Sequence, residues 1–298
     1  MPPSEGFVQA DSLSAEGRSL RLHYLEWGDA GPPLAGQAAV LLHATGFLAR
    51  LWEPIAEGLS GRFHVYAYDA RGHGDSDKPA SGYTWDHFAA DFRGFLDALQ
   101  LRRVLAVGHS MGGATAAYLA ATEPEYVSAA VLIEPIIFPP VVDDSSSDRR
   151  QRELVSGATR RRMVWPSRQE LLRSYRRRLT FASWRDDVLR LYAEHGAFRR
   201  DDGQFELKCP GEIEAQAFQN SLSLDTWGVL PDIRCPTLVL HGQHTEHHLI
   251  LAARGVAERI PGAHLAAIAG AGHLVPMERP QTVVAEIMAF LGHGAGPK

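Results

Sequence analysis

Cysteine is scarce in this chain: Cys209 and Cys235 are the only two among 298 residues. Two thiols make neither a disulfide framework nor a zinc pattern. Each precedes a proline, which suits a buried or loop thiol. Long apolar runs are missing as well. No stretch approaches the ~18 residues of a membrane span, and the polar, acidic opening from Met1 to Ser14 lacks the basic and apolar regions of a signal peptide. Gly294 to Lys298 reads as a frayed tail, not an address signal. A cytoplasmic location is therefore the expectation. Nor is there a surplus of positive charge. The formal net charge is −5, which argues against general nucleic-acid binding. There is no internal repeat and no low-complexity segment.

What is present is an ordinary globular composition, 45 % hydrophobic and 22 % charged. Short apolar runs at Leu20 to Trp27, Ala39 to His43, Phe63 to Tyr68, Val104 to Val107 and Val127 to Ile133 read as strands, and Phe7 to Ala10 can pair with the first of them. Gly28 to Gln37 is a Gly/Pro-rich turn. Helical spacing separates the strands at Trp52 to Leu59, in a helix capped by Thr84 and running to about Leu99, and through the small residues Ala114 to Ala121. That alternation predicts an α/β fold: a mostly parallel central sheet with helices on both faces. It breaks at Pro139-Pro140 and the linker-like run Asp143 to Asp148. From there to about Leu224 helices are legible and no core strand is. Ser167 opens one with a capping box and Ser183 opens another that Gly196 ends. The rhythm resumes with a strand at Pro236 to His241, a helix at about Leu249 to Ile260, a strand at Leu265 to Ile268 and a helix at Gln281 to Leu291. The predicted organisation is core at 1–138, an inserted helical cap at 139–226, and core again at 227–298.

The stretch with chemistry in it is Gly108-His109-Ser110-Met111-Gly112, set between a strand and a helix. This is G-x-S-x-G, the nucleophile elbow, in which a sharp strand-to-helix turn holds a serine hydroxyl above the sheet. A serine hydroxyl needs an adjacent base. His273 is the natural candidate, in a Gly-rich loop after the last strand, where loops gather at the carboxyl edge of a parallel sheet.

These residues carry a family resemblance. The chain resembles the α/β-hydrolase superfamily through His43-Ala44-Thr45-Gly46, Asp69-Ala70-Arg71-Gly72-His73-Gly74-Asp75-Ser76, the elbow, and Gly272-His273 followed by Pro276-Met277-Glu278-Arg279-Pro280. The resemblance implies an oxyanion hole built from two backbone N–H groups, those of Met111 and Thr45. The family has His-Gly-x where this chain has His43-Ala44-Thr45. It also implies a third catalytic group, a carboxylate that orients the histidine. Most of the superfamily has an aspartate three residues past the glycine that corresponds to Gly242, and this chain has Thr245 there, with Glu246 next to it. Members that keep the acid on an earlier strand are similar in spacing to Glu134, 24 residues past Ser110. Glu134 is the favoured acid and Glu246 the alternative.

The function this implies is a serine hydrolase acting on a small apolar ester or lactone through an acyl-enzyme on Ser110, with His273 as base. It needs no cofactor. Alternatives on the same fold are a cofactor-free haloperoxidase or perhydrolase, a C–C bond hydrolase and an acyltransferase. A serine at position 110 argues against epoxide hydrolases and dehalogenases, which use aspartate. A different class, a non-catalytic small-ligand receptor, is disfavoured by the intact serine, histidine and acid. His241, His244, His247 and His248 with Glu246 invite a metal reading, but their spacing is not H-E-x-x-H, and a polar loop accounts for them better. Asp69 and Asp75 read as turn residues. Between Arg149 and Arg200 fifteen arginines face five acidic residues, net +10. Solvated helix faces are the plain account, and an anion-attracting surface is the sharper one. Trp165, Tyr175, Phe181, Trp184 and Tyr192 read as cap core. Substrate identity and oligomeric state are not legible.

Overall fold

The computed structural model describes residues 2–11, 19–28, 37–140 and 145–292, without the side chains of 145–148. Most of the Gly28 to Gln37 turn, Asp143-Asp144 and the tail from Gly294 lie outside the described residues.

Among the described residues eight strands form one sheet: β1 (Ser4–Ala10), β2 (Leu20–Trp27), β3 (Ala38–Leu42), β4 (His64–Tyr68), β5 (Val104–His109), β6 (Val127–Ile133), β10 (Thr237–Gly242) and β11 (His264–Ile268). Their spatial order is β1-β2-β4-β3-β5-β6-β10-β11. β1 pairs antiparallel with β2, and β2 antiparallel with β4. From β4 onward every pair is parallel. Parallel strands need helical crossovers, and those helices bury both faces. Successive residues of β5 accordingly enter different cores. Val104 and Ala106 join one cluster with Phe88, Phe92 and Phe95, while Leu105 and Val107 join another with Ile55, Ile287 and Leu291. The first cluster is roofed by α2 (Trp85–Ala98), α3 (Met111–Thr122) and α9 (His247–Arg259), the second by α1 (Glu53–Leu59) and α11 (Pro280–Gly292).

Between β6 and β10 the chain leaves the sheet. This segment holds α4 (Ser145–Thr159), α5 (Arg168–Arg176), α6 (Asp186–His195), α7 (Gly211–Gln219) and α8 (Thr226–Val229). It also holds three short strands that the sequence reading missed: β7 (Val164–Trp165), β8 (Ala197–Arg199) and β9 (Phe205–Leu207), paired antiparallel in the order β7-β9-β8. Two- and three-residue strands are too short to show alternation. The segment packs a third apolar cluster, in which Trp165, Tyr175, Trp184 and Tyr192 meet Leu48 and Leu51 on one side of the core and Leu274 and Met277 on another.

Helix starts differ locally from expectation. Ser167 does cap α5, accepting from Glu170 N at 3.1 Å. Ser183 caps nothing. α6 begins at Asp186 with Arg185 as its N-cap, because burial of Trp184 in the aromatic cluster fixes the chain there, and Asp186 and Asp187 supply negative charge to the helix start. Thr84 stands at the N-cap of α2, but its hydroxyl meets the His87 ring at 2.5 Å instead of a backbone N–H. The linker-like run is helical from Ser145 onward, in keeping with the preference of Ser and Asp for helix starts. The last short helix is α10 (Val275–Glu278).

Candidate active site

Sheet register assembles the site. His109 is level with Ile133 in the β5–β6 pairing, and Ile133 is level with Leu240 in the β6–β10 pairing. The residues that follow, Ser110 and Glu134, therefore leave neighbouring strands at one height. Both have positive φ, 56° for Ser110 and 48° for Glu134, a conformation non-glycine residues rarely take and one that clusters at functional sites. The flanking glycines of the elbow are there for space. A Cβ on Gly108 would stand 2.1 Å from the Gly112 carbonyl oxygen, and one on Gly112 would stand 2.3 Å from that of Leu42. Ser110 N donates to Ile133 O at 2.9 Å, and Ser110 is the N-cap of α3, whose first residue is Met111. Open N–H groups and the positive end of the dipole gather there.

Glu134 is buried and meets three partners. Its Oε1 accepts from Gly242 N at 2.6 Å, and its Oε2 accepts from Thr245 Oγ1 at 2.9 Å and lies 2.8 Å from His273 Nδ1. A carboxylate only accepts, so the proton between them sits on Nδ1 of His273, leaving Nε2 with a lone pair. The Glu134 side chain is fully buried, while that of His273 is about a third exposed. Glu246, the alternative acid, lies elsewhere. Its side chain is exposed, pairs with Arg150 and stands 3.5 Å from His248.

The loop that carries His273 is held from below. Glu278 Oε2 accepts from Gly272 N at 2.8 Å, and Arg279 Nη2 donates to Gly270 O at 2.9 Å. His109 Nε2 meets the His273 carbonyl oxygen at 2.9 Å.

Thr45 and Met111 are brought together: Thr45 Oγ1 lies 3.4 Å from Met111 Sδ. The loop carrying Thr45 is a turn closed by Phe47 N to Ala44 O at 3.2 Å, with Gly46 at φ 83°. Two buried histidines brace it. His43 Nδ1 donates to Ala44 O at 2.8 Å while its Nε2 accepts from Ala70 N at 3.0 Å. His73 Nδ1 donates to Arg71 O at 2.9 Å while its Nε2 accepts from Gly46 N at 2.9 Å. Each ring needs one bare nitrogen, so each works in its neutral form. Burial pushes both pKa values down, that of His73 to about 3. Asp69 is a turn-builder, as expected, accepting from Ala49 N at 2.7 Å, Asp75 N at 2.9 Å and the His23 ring at 2.8 Å. Burial opposes its charge, yet these bonds, that of His23 foremost, hold its carboxyl well below the usual range.

The histidines near β10 do not converge on one another. His241 Nδ1 meets its neighbour's carbonyl, Gly242 O, and His248 meets Arg150. Among the described residues the one group close enough to share an ion is His23, Asp69 and Asp75, whose atoms already bond one another or the backbone. Many arginines of the 149–200 stretch are paired: Arg173 with Glu170, Arg176 and Arg190 with Asp186, Arg185 with Asp187, and Arg161 with Glu214.

Sequence reasoning missed Thr245, Gly242 and His109 as partners of the site. In the sequence Thr245 marks only the place where an acid is absent, and a hydroxyl carries no signal of the carboxylate it bonds.

The family model described as the alpha/beta hydrolase family matches residues 39–287. The chain is 25 % identical over 257 residues to the 2-(acetamidomethylene)succinate hydrolase of Mesorhizobium japonicum, covering 86 % of this chain and 88 % of that one. It is 28 % identical over 295 residues to the N-formylmaleamate deformylase of Pseudomonas putida, covering 96 % and 98 %. The crystal structure of E-2-(acetamidomethylene)succinate hydrolase superposes with a TM-score of 0.81 at 23 % identity, covering 97 % of this chain and 99 % of that one. Sheet order, elbow and family match agree: this chain belongs to the α/β hydrolase family.

Proposed function

We propose that the protein is a serine hydrolase that cleaves a carboxylic ester or lactone through an acyl-enzyme on Ser110. The observation that carries this reading is the Glu134–His273 bond at 2.8 Å, made beside the elbow by strand register. His273, with its proton on Nδ1, presents Nε2 to take the Ser110 proton as the hydroxyl oxygen attacks the carbonyl carbon. Glu134 orients the ring and stabilises the imidazolium. The N–H groups of Met111 and Thr45 receive the developing oxyanion, and the Thr45–Met111 contact supports that pairing. The leaving alcohol takes the proton from His273. Water then attacks the acyl group, with His273 again as base. Residues 139–226 act as the cap over this site, and the substrate is a small molecule held between cap and core.

A second reading has an observation of its own. Two relatives matched along nearly their whole length are named for an acetamidomethylene-succinate and an N-formylmaleamate. Both names describe an acylated nitrogen on a carboxylate-bearing skeleton. The same machinery would then release an amine-side product, and His273 would protonate nitrogen in place of oxygen.

Burst release of p-nitrophenol from a short-chain ester, with mass-spectrometric location of an organophosphonate label, tests the reading. A burst equal to the enzyme concentration and a label on Ser110 support it. No turnover and no label on Ser110 overturn it and leave the non-catalytic receptor. Relative rates on esters, lactones and N-acyl compounds then choose between the two substrate classes.

A further inference from the structure

His109 occupies the first variable position of the elbow, and an elbow places no demand on that side chain's chemistry. It is fully buried at the end of β5. Its Nε2 lies 2.9 Å from the carbonyl oxygen of His273, and among the described residues its Nδ1 has no hydrogen-bond partner. The rings of His109 and His273 are 5.3 Å apart between centroids. A carbonyl only accepts, so the His109 proton is on Nε2, and the bare nitrogen is Nδ1.

This is an odd residue for packing alone. A buried nitrogen without a partner is a cost that phenylalanine or leucine would avoid. The polar interaction that offsets it among the described residues is the bond to His273. That bond grips the backbone of the base at its own residue, 164 positions away in the chain. Glu134 grips the same residue through its ring. One contact fixes where the Cα of His273 sits, and the other fixes how its ring is turned.

We propose that His109 is a positioning residue for His273, holding the base's backbone so that its ring meets Glu134 on one side and Ser110 on the other. The proposal rests on the reading of His273 as general base. His109 does the task as a neutral ring. Burial above all, and then the neighbouring His273, push its pKa down to about 3. Among the described residues the titratable groups whose charge bears on it are His273 and, more weakly, His43. A neutral ring adds no positive charge beside the imidazolium that forms at His273.

The test compares four variants. The Nε2 of glutamine reaches the place of the histidine Nε2, whereas the Nδ2 of asparagine reaches only the place of Nδ1. His109→Gln should therefore stay within about threefold of the wild-type kcat. His109→Asn, His109→Leu and His109→Phe should lose about 10- to 100-fold in kcat with KM within about threefold, the pattern of a group needed only as the transition state forms. Equal loss in the glutamine and asparagine variants, or wild-type kcat in the leucine or phenylalanine variant, overturns the proposal. If the apolar variants do not fold, the glutamine–asparagine comparison still decides. A second readout does not depend on turnover. The deshielded Nδ1 proton of His273 in the proton NMR spectrum should persist in His109→Gln and be lost in His109→Asn, and its persistence in both variants would overturn the proposal. Absence of turnover in the wild type would count against the function proposed above, while this resonance would still report on His109.

Discussion

Thr245 donates its hydroxyl to Oε2 of Glu134 at 2.9 Å, the oxygen that also meets His273. The residue at the family's usual acid position thus bonds a carboxylate that comes from another strand. The β6–β10 register brings this about, since Glu134 follows Ile133, Ile133 is level with Leu240, and the loop after β10 passes over the carboxylate. Thr245→Val should lower kcat about 10-fold, the equivalent of roughly 1.5 kcal/mol of hydrogen bonding to a charged group. Steady-state kinetics on one ester checks this, and Thr245→Ser should recover most of the loss.

The elbow glycines should be intolerant of a single methyl group. At Gly112 the added carbon would overlap the Leu42 carbonyl at 2.3 Å, and backbone cannot yield as a flexible side chain can. Gly112→Ala and Gly108→Ala should each destabilise the fold by about 3 kcal/mol or more. Gly61→Ala is the control, because among the described residues nothing lies within 4 Å of its added carbon. Urea unfolding curves measure all three.

Acid should loosen this protein through its neutral histidines. His73 and His109 are held down to about 3, and His43 is also lowered, all chiefly by burial. Below the ordinary histidine value of 6.5 the unfolded chain binds these protons and the folded chain does not. For His73 and His109 this stability is full above about pH 6.5 and is lost as pH falls toward 3, at about 1.4 kcal/mol per pH unit each, and His43 acts with the same sign. His23 has the opposite sign. Burial works against its charge, yet its bond to Asp69 raises its pKa, so its contribution is full below 6.5 and fades as pH rises through the folded value. Urea titrations between pH 7 and 5 should show stability falling with acid, and His73→Gln should reduce that slope by about one proton's worth.

Arg161 and Glu214 form a pair with side chains only 11 % and 13 % exposed, and Arg161 also donates to the Tyr175 hydroxyl at 3.1 and 3.2 Å and to that of Tyr192. Removing one partner leaves a charge with little water. Arg161→Met or Glu214→Leu alone should cost about 3–5 kcal/mol, and the double variant should cost less than the sum. Thermal unfolding of the three variants measures the coupling. Glu214 also packs against Gly46, where an added Cβ would clash with its Oε1, so damage here should reach the loop of Thr45.

The parts of the molecule that were legible in the sequence are those with a strong local signal. Five-residue apolar strands, the elbow and the loop around His273 are written in consecutive residues. The short strands β7 to β9 are not, because two or three residues show no period. Ser183 misled because a buried tryptophan next to it outweighed its capping preference. Glu134 could be favoured by spacing, yet its partnership with Thr245 and Gly242, and the reach of His109 to His273, depend on strand register. Register follows from how whole strands pack, and no window of sequence contains it.

The central proposal is that Glu134 is the carboxylate that orients His273. Turnover of one activated ester by Glu134→Gln and by Glu246→Gln measures this most directly. Glu134→Gln should lose about 10³- to 10⁴-fold in kcat, as expected when the orienting carboxylate of a triad becomes an amide. Glu246→Gln, altered at an exposed ion pair with Arg150, should turn over like the wild type. Loss of turnover in Glu246→Gln with activity kept in Glu134→Gln would contradict the account.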